Sequence, residues 1–152
     1  MSEPPPAYVY VVYIRSTLEA VYAALTSLDV RPWWFNRLVV GEYKVGGQLT
    51  QYSNAERTAI DLYSEVLEMD PPRRLTTTFF VEGGAFPVTT VTYELIALAG
   101  GNVKLIVTHE GLDAGLRDGV SKGWPAILSG LKSTLETGRN LDLERDDEGV
   151  GQ

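Results

Sequence analysis

The segment GWPAILSGLKSTLETG, Gly123 to Gly138, carries an apolar row near the C-terminal end of the chain. With the residues just upstream, Val120, Trp124, Leu128, Leu131 and Leu135 recur at steps of four, four, three and four, with Ile127 beside them. That spacing predicts one apolar face of a long α-helix, with Lys122, Lys132 and Glu136 on its exposed sides. Pro125 must sit in the first turn or force a kink, because in a helix interior proline costs about 3 kcal/mol. Gly130 costs about 1 kcal/mol relative to alanine, which predicts that something approaches the helix backbone closely there. Gly138 reads as the C-cap. Such a helix either packs on a filled core or closes a ligand cavity, and the rest of the chain bears on which.

Upstream the period becomes two. VTTVTYELIALAGGNVKLIVTHEGL reads as two strands joined at Gly100-Gly101-Asn102. Lys104 and Glu110 mark one face of the second strand, leaving Val103, Leu105, Val107 and His109 inward. Glu94 does the same for the first, leaving Val91, Tyr93 and Leu95 inward. IDLYSEVLEMDPPRRLTTTFFV is another pair joined at Asp70-Pro71-Pro72, with apolar residues on both faces of each strand. VVGEYKVGGQLTQYS is a hairpin about Gly46-Gly47.

At the start of the chain, YVYVVYI (Tyr8–Ile14) has no polar face, which predicts a strand covered on both sides. Ser16 and Glu19 have capping-box spacing, and Leu18, Val21, Tyr22 and Leu25 form a helical stripe behind them. LDVRPWWFNRL then reads as a break and a short second helix begun by Pro32. The order is strand, two helices, about six strands and a long helix: an α+β domain with an antiparallel sheet and its helices on one face. We expect an N-terminal arm at 1–7, one domain over 8–141 and a charged tail at 142–152, both ends being mobile.

Composition narrows the function. A chain of 152 residues suffices for one domain, able to bury about 70% of its unfolded surface. The net charge of -7, with scattered basic residues, argues against nucleic-acid or anionic-membrane binding. With no cysteine and one histidine, thiolate chemistry and a metal site are not expected, and neither is a cofactor. No Walker loop, dinucleotide fingerprint or nucleophile elbow is present. Without a signal peptide or an apolar run of about 18 residues, the expectation is a soluble cytoplasmic protein, monomeric or weakly dimeric.

Taken in order, YIRSTLEAVYAAL, WW, VVGEYKVGGQ, VLEMDPPRRL, VTYELIALAGGNVKLIVTHEGL and GWPAILSGLKSTLETG resemble the motifs of the activator of heat-shock protein 90 ATPase homologue-like family, within the SRPBCC (START and birch-pollen-allergen-like) superfamily. The resemblance spans roughly Tyr8 to Leu141. It implies a helix-grip fold, a curved antiparallel sheet of about seven strands around a long C-terminal helix, with a pocket between them. Leu18 departs from the family, where proline is frequent. The activator that names the family has an additional N-terminal domain, so its co-chaperone activity is not carried over.

The candidate pocket set is Trp33, Trp34, Tyr52, Tyr63, Phe79, Val91, Tyr93, Leu105, Val107, His109, Trp124, Leu128 and Leu131. Trp33, Trp34 and Phe35 either form a lid or rim over a ligand or anchor the short helix to the sheet edge, and Trp124 either floors the pocket or fills the core. His109 is either a proton-transfer group, with Tyr93 or Glu65 in reach, or a structural histidine at a strand end. No residue is assigned a catalytic role. Three functions follow in order: a receptor for a small apolar or aromatic ligand, an interaction module that touches a chaperone or another stress-related partner through its acidic surface, and a cyclase, dehydratase or hydrolase using His109.

Overall fold

A computed structural model of the chain describes residues 6–54 and 56–141. Eight strands form one antiparallel sheet: β1 (Tyr8–Arg15), β2 (Asp29–Arg31), β3 (Arg37–Gly41), β4 (Gln48–Tyr52), β5 (Ile60–Asp70), β6 (Arg74–Val81), β7 (Thr89–Leu98) and β8 (Asn102–Glu110). Helix α1 (Leu18–Leu25) follows β1, and helix α2 (Ala114–Thr137) ends the fold. The sheet order is β1-β8-β7-β6-β5-β4-β3-β2. From β2 onward each strand pairs with the next, and β1 closes against β8. This is the helix-grip arrangement. Register shifts at Gln51/Tyr52 and Val66/Glu68 add bends to the middle strands. The sheet thus curves around α2, whose Leu128 and Leu131 are fully buried, each worth about 1.5–3 kcal/mol in burial.

The alternation predicted for β7 and β8 holds: Val91, Tyr93, Leu95, Val103, Leu105, Val107 and His109 are all buried. Gly130 has the close neighbour its cost implied. A Cβ there would stand 3.0 Å from the Trp33 carbonyl oxygen, and the Asn140 side chain donates to the Pro32 carbonyl over the same contact, at 2.6 Å. The turn carrying both tryptophans is thereby held on the helix backbone.

Three expectations are corrected, and one open alternative is decided. Strand β1 is covered on one face only; Val9, Val11 and Tyr13 are exposed, because β1 is an edge strand with α2 on its inner side alone. The cap of α1 is Thr17, whose hydroxyl accepts from the Ala20 N–H at 3.1 Å, so the helix begins one residue later than a Ser16–Glu19 box requires. The second helix is a single 3-10 turn, Pro32–Trp34, preceded by the three-residue β2; this short strand raises the count to eight. Of the two places open to Pro125, the first turn is ruled out: helix α2 begins at Ala114, capped by Asp113, so Pro125 lies inside it and offers no N–H to the Ser121 carbonyl. The tail placed at 142–152, and residues 1–5 of the arm, lie outside the described residues.

Candidate functional site

Where α2 crosses β5 and β6, helix and sheet stand apart. The gap is a cleft of about 320 Å³, walled by Trp34, Leu62, Phe79, Val81, Val120, Trp124 and Ile127 among others. Its width has a local cause in the sequence. Gly119 and Gly123, one helical turn apart, face it with no side chain, and a Cβ built on either meets nothing within 4 Å. Larger residues at these two positions would project into that space. Trp34 and Trp124 meet edge to face at 5.5 Å, forming an aromatic wall. Phe35 stands at the cleft with Arg37 over its ring at 5.8 Å. Asp61, the one carboxylate lining the cleft among the described residues, accepts from Arg37 Nε at 3.2 Å and from Gln51 Nε2 at 2.9 Å.

Behind the cleft lies a chamber of about 30 Å³. Trp34, Leu62 and Phe79 belong to both walls. The chamber's lining is more polar, with Arg31, Tyr43, Gln51, Ser64, Thr77 and Tyr93 among its residues. Arg31 is only 4% exposed. Its Nε donates to the Ser27 carbonyl at 3.0 Å, and its Nη2 to the carbonyls of Ser27 at 2.8 Å and Leu25 at 3.1 Å and to the Tyr43 hydroxyl. The Trp33 and Tyr43 rings flank the guanidinium at 5.4 and 5.8 Å. Burial drives the Tyr93 hydroxyl pKa well above its ordinary 10, so it remains a donor at physiological pH.

His109 is committed to the core. The Trp124 indole N–H donates to its Nδ1 at 3.1 Å. An indole nitrogen only donates, so Nδ1 carries no proton and Nε2 does. Nε2–H then donates to the Thr89 hydroxyl at 2.8 Å, and that hydroxyl donates to the Phe79 carbonyl at 3.1 Å. The histidine is fully buried, with its pKa lowered from 6.5 to about 4 by burial. Both ring nitrogens are engaged within the protein, and His109 lines neither the cleft nor the chamber.

Of the residues singled out from sequence, Trp34, Phe79 and Trp124 line the cleft, and Trp34, Phe79 and Tyr93 line the chamber. Trp33, Val91, Leu105, Val107, His109, Leu128 and Leu131 are buried and line neither. Tyr52 and Tyr63 follow the inward Gln51 and Leu62 on their strands and also line neither; Tyr63 stacks on Phe80 at 6.3 Å. Residues that sequence reasoning passed over include Arg31, Leu62, Ser64, Thr77, Gly119 and Gly123. Among the described residues no group of three or more metal-ligating side chains is present, and no helix is long and apolar enough to cross a membrane.

Residues 15–136 match the family model described as Activator of Hsp90 ATPase homolog 1-like protein. No curated protein matches the chain. Solved structures share its fold. CalU16 from Micromonospora echinospora is 21% identical, with a TM-score of 0.70 over 89% of this chain and 76% of that one. The Aha1 dimer from Colwellia psychrerythraea is 19% identical, with a TM-score of 0.71 over 87% and 97%. An HSP90 activator from Plasmodium falciparum is 19% identical, with a TM-score of 0.66 over 79% and 88%.

Proposed function

The chain belongs to the Activator of Hsp90 ATPase homolog 1-like protein family, and from that premise and the open cleft we propose that it receives a small apolar or aromatic molecule between α2 and the sheet. The observation that carries this reading is a volume of about 320 Å³ beside Trp34, Phe79 and Trp124, kept open by Gly119 and Gly123. That volume is in the range of small-molecule sites, and an apolar cavity of roughly 150 Å³ already takes up benzene. A fused two-ring body therefore fits in size. Turnover is not part of this reading, because His109 has both nitrogens occupied away from the cleft.

Tryptophan fluorescence and thermal shift with 2-naphthol test it, since a ligand that binds only the folded state raises its stability by mass action. Binding by the wild type and its loss in Gly119→Leu, which fills the cleft, are expected. Failure of the wild type to bind, or equal binding by Gly119→Leu, would overturn the reading.

A second reading, contact with a chaperone, is favoured by the family and by a row of exposed apolar residues, Val9, Val11 and Tyr13, on the outer face of the edge strand. It predicts that the protein stimulates the HSP90 ATPase and that Val11→Lys weakens this effect. An unchanged ATPase rate in the presence of the wild type dismisses it.

A further inference from the structure

Resting on the reading of the cleft as a ligand site, we propose that its ligand carries a carboxylate, and that the chamber headed by Arg31 receives that group while the apolar body lies against Trp34 and Trp124. Arg31 is a buried cation that meets no anion among the described residues. Its Nε and Nη2 hold the carbonyls of Leu25 and Ser27 and the Tyr43 hydroxyl, and none of its contacts is to a carboxylate. Among the described residues Nη1 has no protein acceptor. A guanidinium does not shed its proton to relieve this, and an unpaired buried charge is costly.

The rest of the chamber offers donors of the matching kind. Ser64, Thr77 and Tyr93 line it, and their hydroxyls have no hydrogen-bond partner among the described residues. The Tyr43 hydroxyl accepts from Arg31 and keeps its own proton to give. The volume of about 30 Å³ holds roughly two water-sized groups, which is the size of the two oxygens of a carboxylate. Hydrogen bonds from guanidinium to carboxylate are among the stronger ones, and low local polarity reinforces them.

Position brings the two spaces together. Trp34, Leu62 and Phe79 are shared by both walls, so chamber and cleft are adjacent, and the proposal has the ligand pass between these three side chains. The carboxylate already at the cleft, Asp61, is paired with Arg37 and bound by Gln51, which offsets its repulsion of an incoming acid. The chain as a whole carries a net charge of -7, so any preference for an anion must come from a local site rather than from overall attraction.

Calorimetric titration of the full chain with 1-naphthylacetate and with 1-naphthylacetamide, which share a body and differ in charge, tests the inference. The acid is expected to bind about tenfold or more tightly than the amide. Tyr93→Phe keeps the ring that meets Trp124 and removes one donor, so it narrows the preference several-fold by weakening the acid more than the amide. Arg31→Met abolishes the preference; should that variant fail to fold, the double variant Ser64→Ala, Tyr93→Phe replaces it. Gly119→Leu weakens both compounds alike. Equal affinities in the wild type, or a preference untouched by the chamber variants, overturn the carboxylate assignment and leave the cleft reading standing. Binding of neither compound overturns both.

Discussion

The Trp124 indole N–H and Nδ1 of His109 meet at 3.1 Å, joining the middle of the long helix to the end of β8. Thr89 completes the arrangement on the other side of the ring, so each donor has an acceptor in a region closed to water. Protonating His109 would set an N–H at Nδ1 against the indole N–H. The native state therefore favours the neutral ring, in agreement with a pKa lowered to about 4 by burial. Between about pH 6.5 and pH 4 the unfolded chain binds a proton that the folded chain refuses. This contribution to stability is complete above 6.5 and is lost as the pH falls through that window, about 3 kcal/mol in all. Urea unfolding of wild type and His109→Gln as a function of pH checks this. The wild-type curve should fall more steeply between pH 6.5 and 4, and parallel curves would contradict the assignment.

Trp124→Phe removes the donor while keeping most of the ring. It leaves Nδ1 buried without a partner and should cost about 1–3 kcal/mol. It also removes the conflict that opposes protonation, so the histidine should titrate closer to its ordinary range. NMR titration of the His109 ring in this variant reads that directly, and an unchanged pKa would mean that the indole contact plays no part.

Glycine-to-alanine substitutions within α2 should differ in sign. At Gly119 and Gly123 an added Cβ meets nothing within 4 Å, so Gly119→Ala and Gly123→Ala should each stabilise by up to about 1 kcal/mol through helix propensity. At Gly130 the same methyl would stand 2.6 Å from Asn140 Oδ1 and 3.0 Å from the Trp33 carbonyl oxygen. Gly130→Ala should destabilise, because backbone cannot yield as a flexible side chain can. Thermal unfolding of the three variants decides the matter; a uniform rise would show that the 3-10 turn gives way at little cost.

These elements also show what the sequence made legible. Inward faces could be read in β7 and β8 because Glu94 and Lys104 mark the wet side. In β1 the outer row, Val9, Val11 and Tyr13, is apolar too, and alternation gave no warning of exposure. The inner faces of β5 and β6 were hidden for the same reason, and with them Ser64 and Thr77. Arg31 looks like any surface arginine in sequence; only the fold brings the carbonyls of Leu25 and Ser27 around it. Gly119 and Gly123 stand four apart on the cleft side of α2, a signal that was present but outside the apolar stripe used to place the helix. His109 was placed inward correctly, yet its partners lie on β7 and α2, and sequence proximity carries no trace of them.

The edge of the sheet supplies the remaining prediction. Among the described residues strand β1 has no neighbouring strand on its outer side, and an open edge invites pairing with another chain. Helix α2 answers part of this with two side chains. Lys132 Nζ donates to the Tyr13 carbonyl at 2.6 Å, and Glu136 accepts from the Arg15 N–H at 2.7 Å. Lys132 and Glu136 pair with each other at 2.8 Å. The Glu136 carboxyl is held below its ordinary range, first by the hydrogen bond from Lys132 and then by that from the Arg15 backbone. Its contribution is present above the unfolded value near 4.5 and is lost as the pH falls through the lower folded value. Both side chains are partly solvated, so Glu136→Gln should cost under about 1 kcal/mol at pH 7. The gap between wild type and variant should close as the pH drops below 4.5, and a gap that stays constant down to pH 3 would show that the carboxylate is not what holds the edge. Replacing both residues, as Lys132→Ala with Glu136→Ala, frees the Tyr13 carbonyl and the Arg15 N–H and should raise self-association in analytical ultracentrifugation. An unchanged sedimentation profile would mean that the helix backbone shields β1 without them.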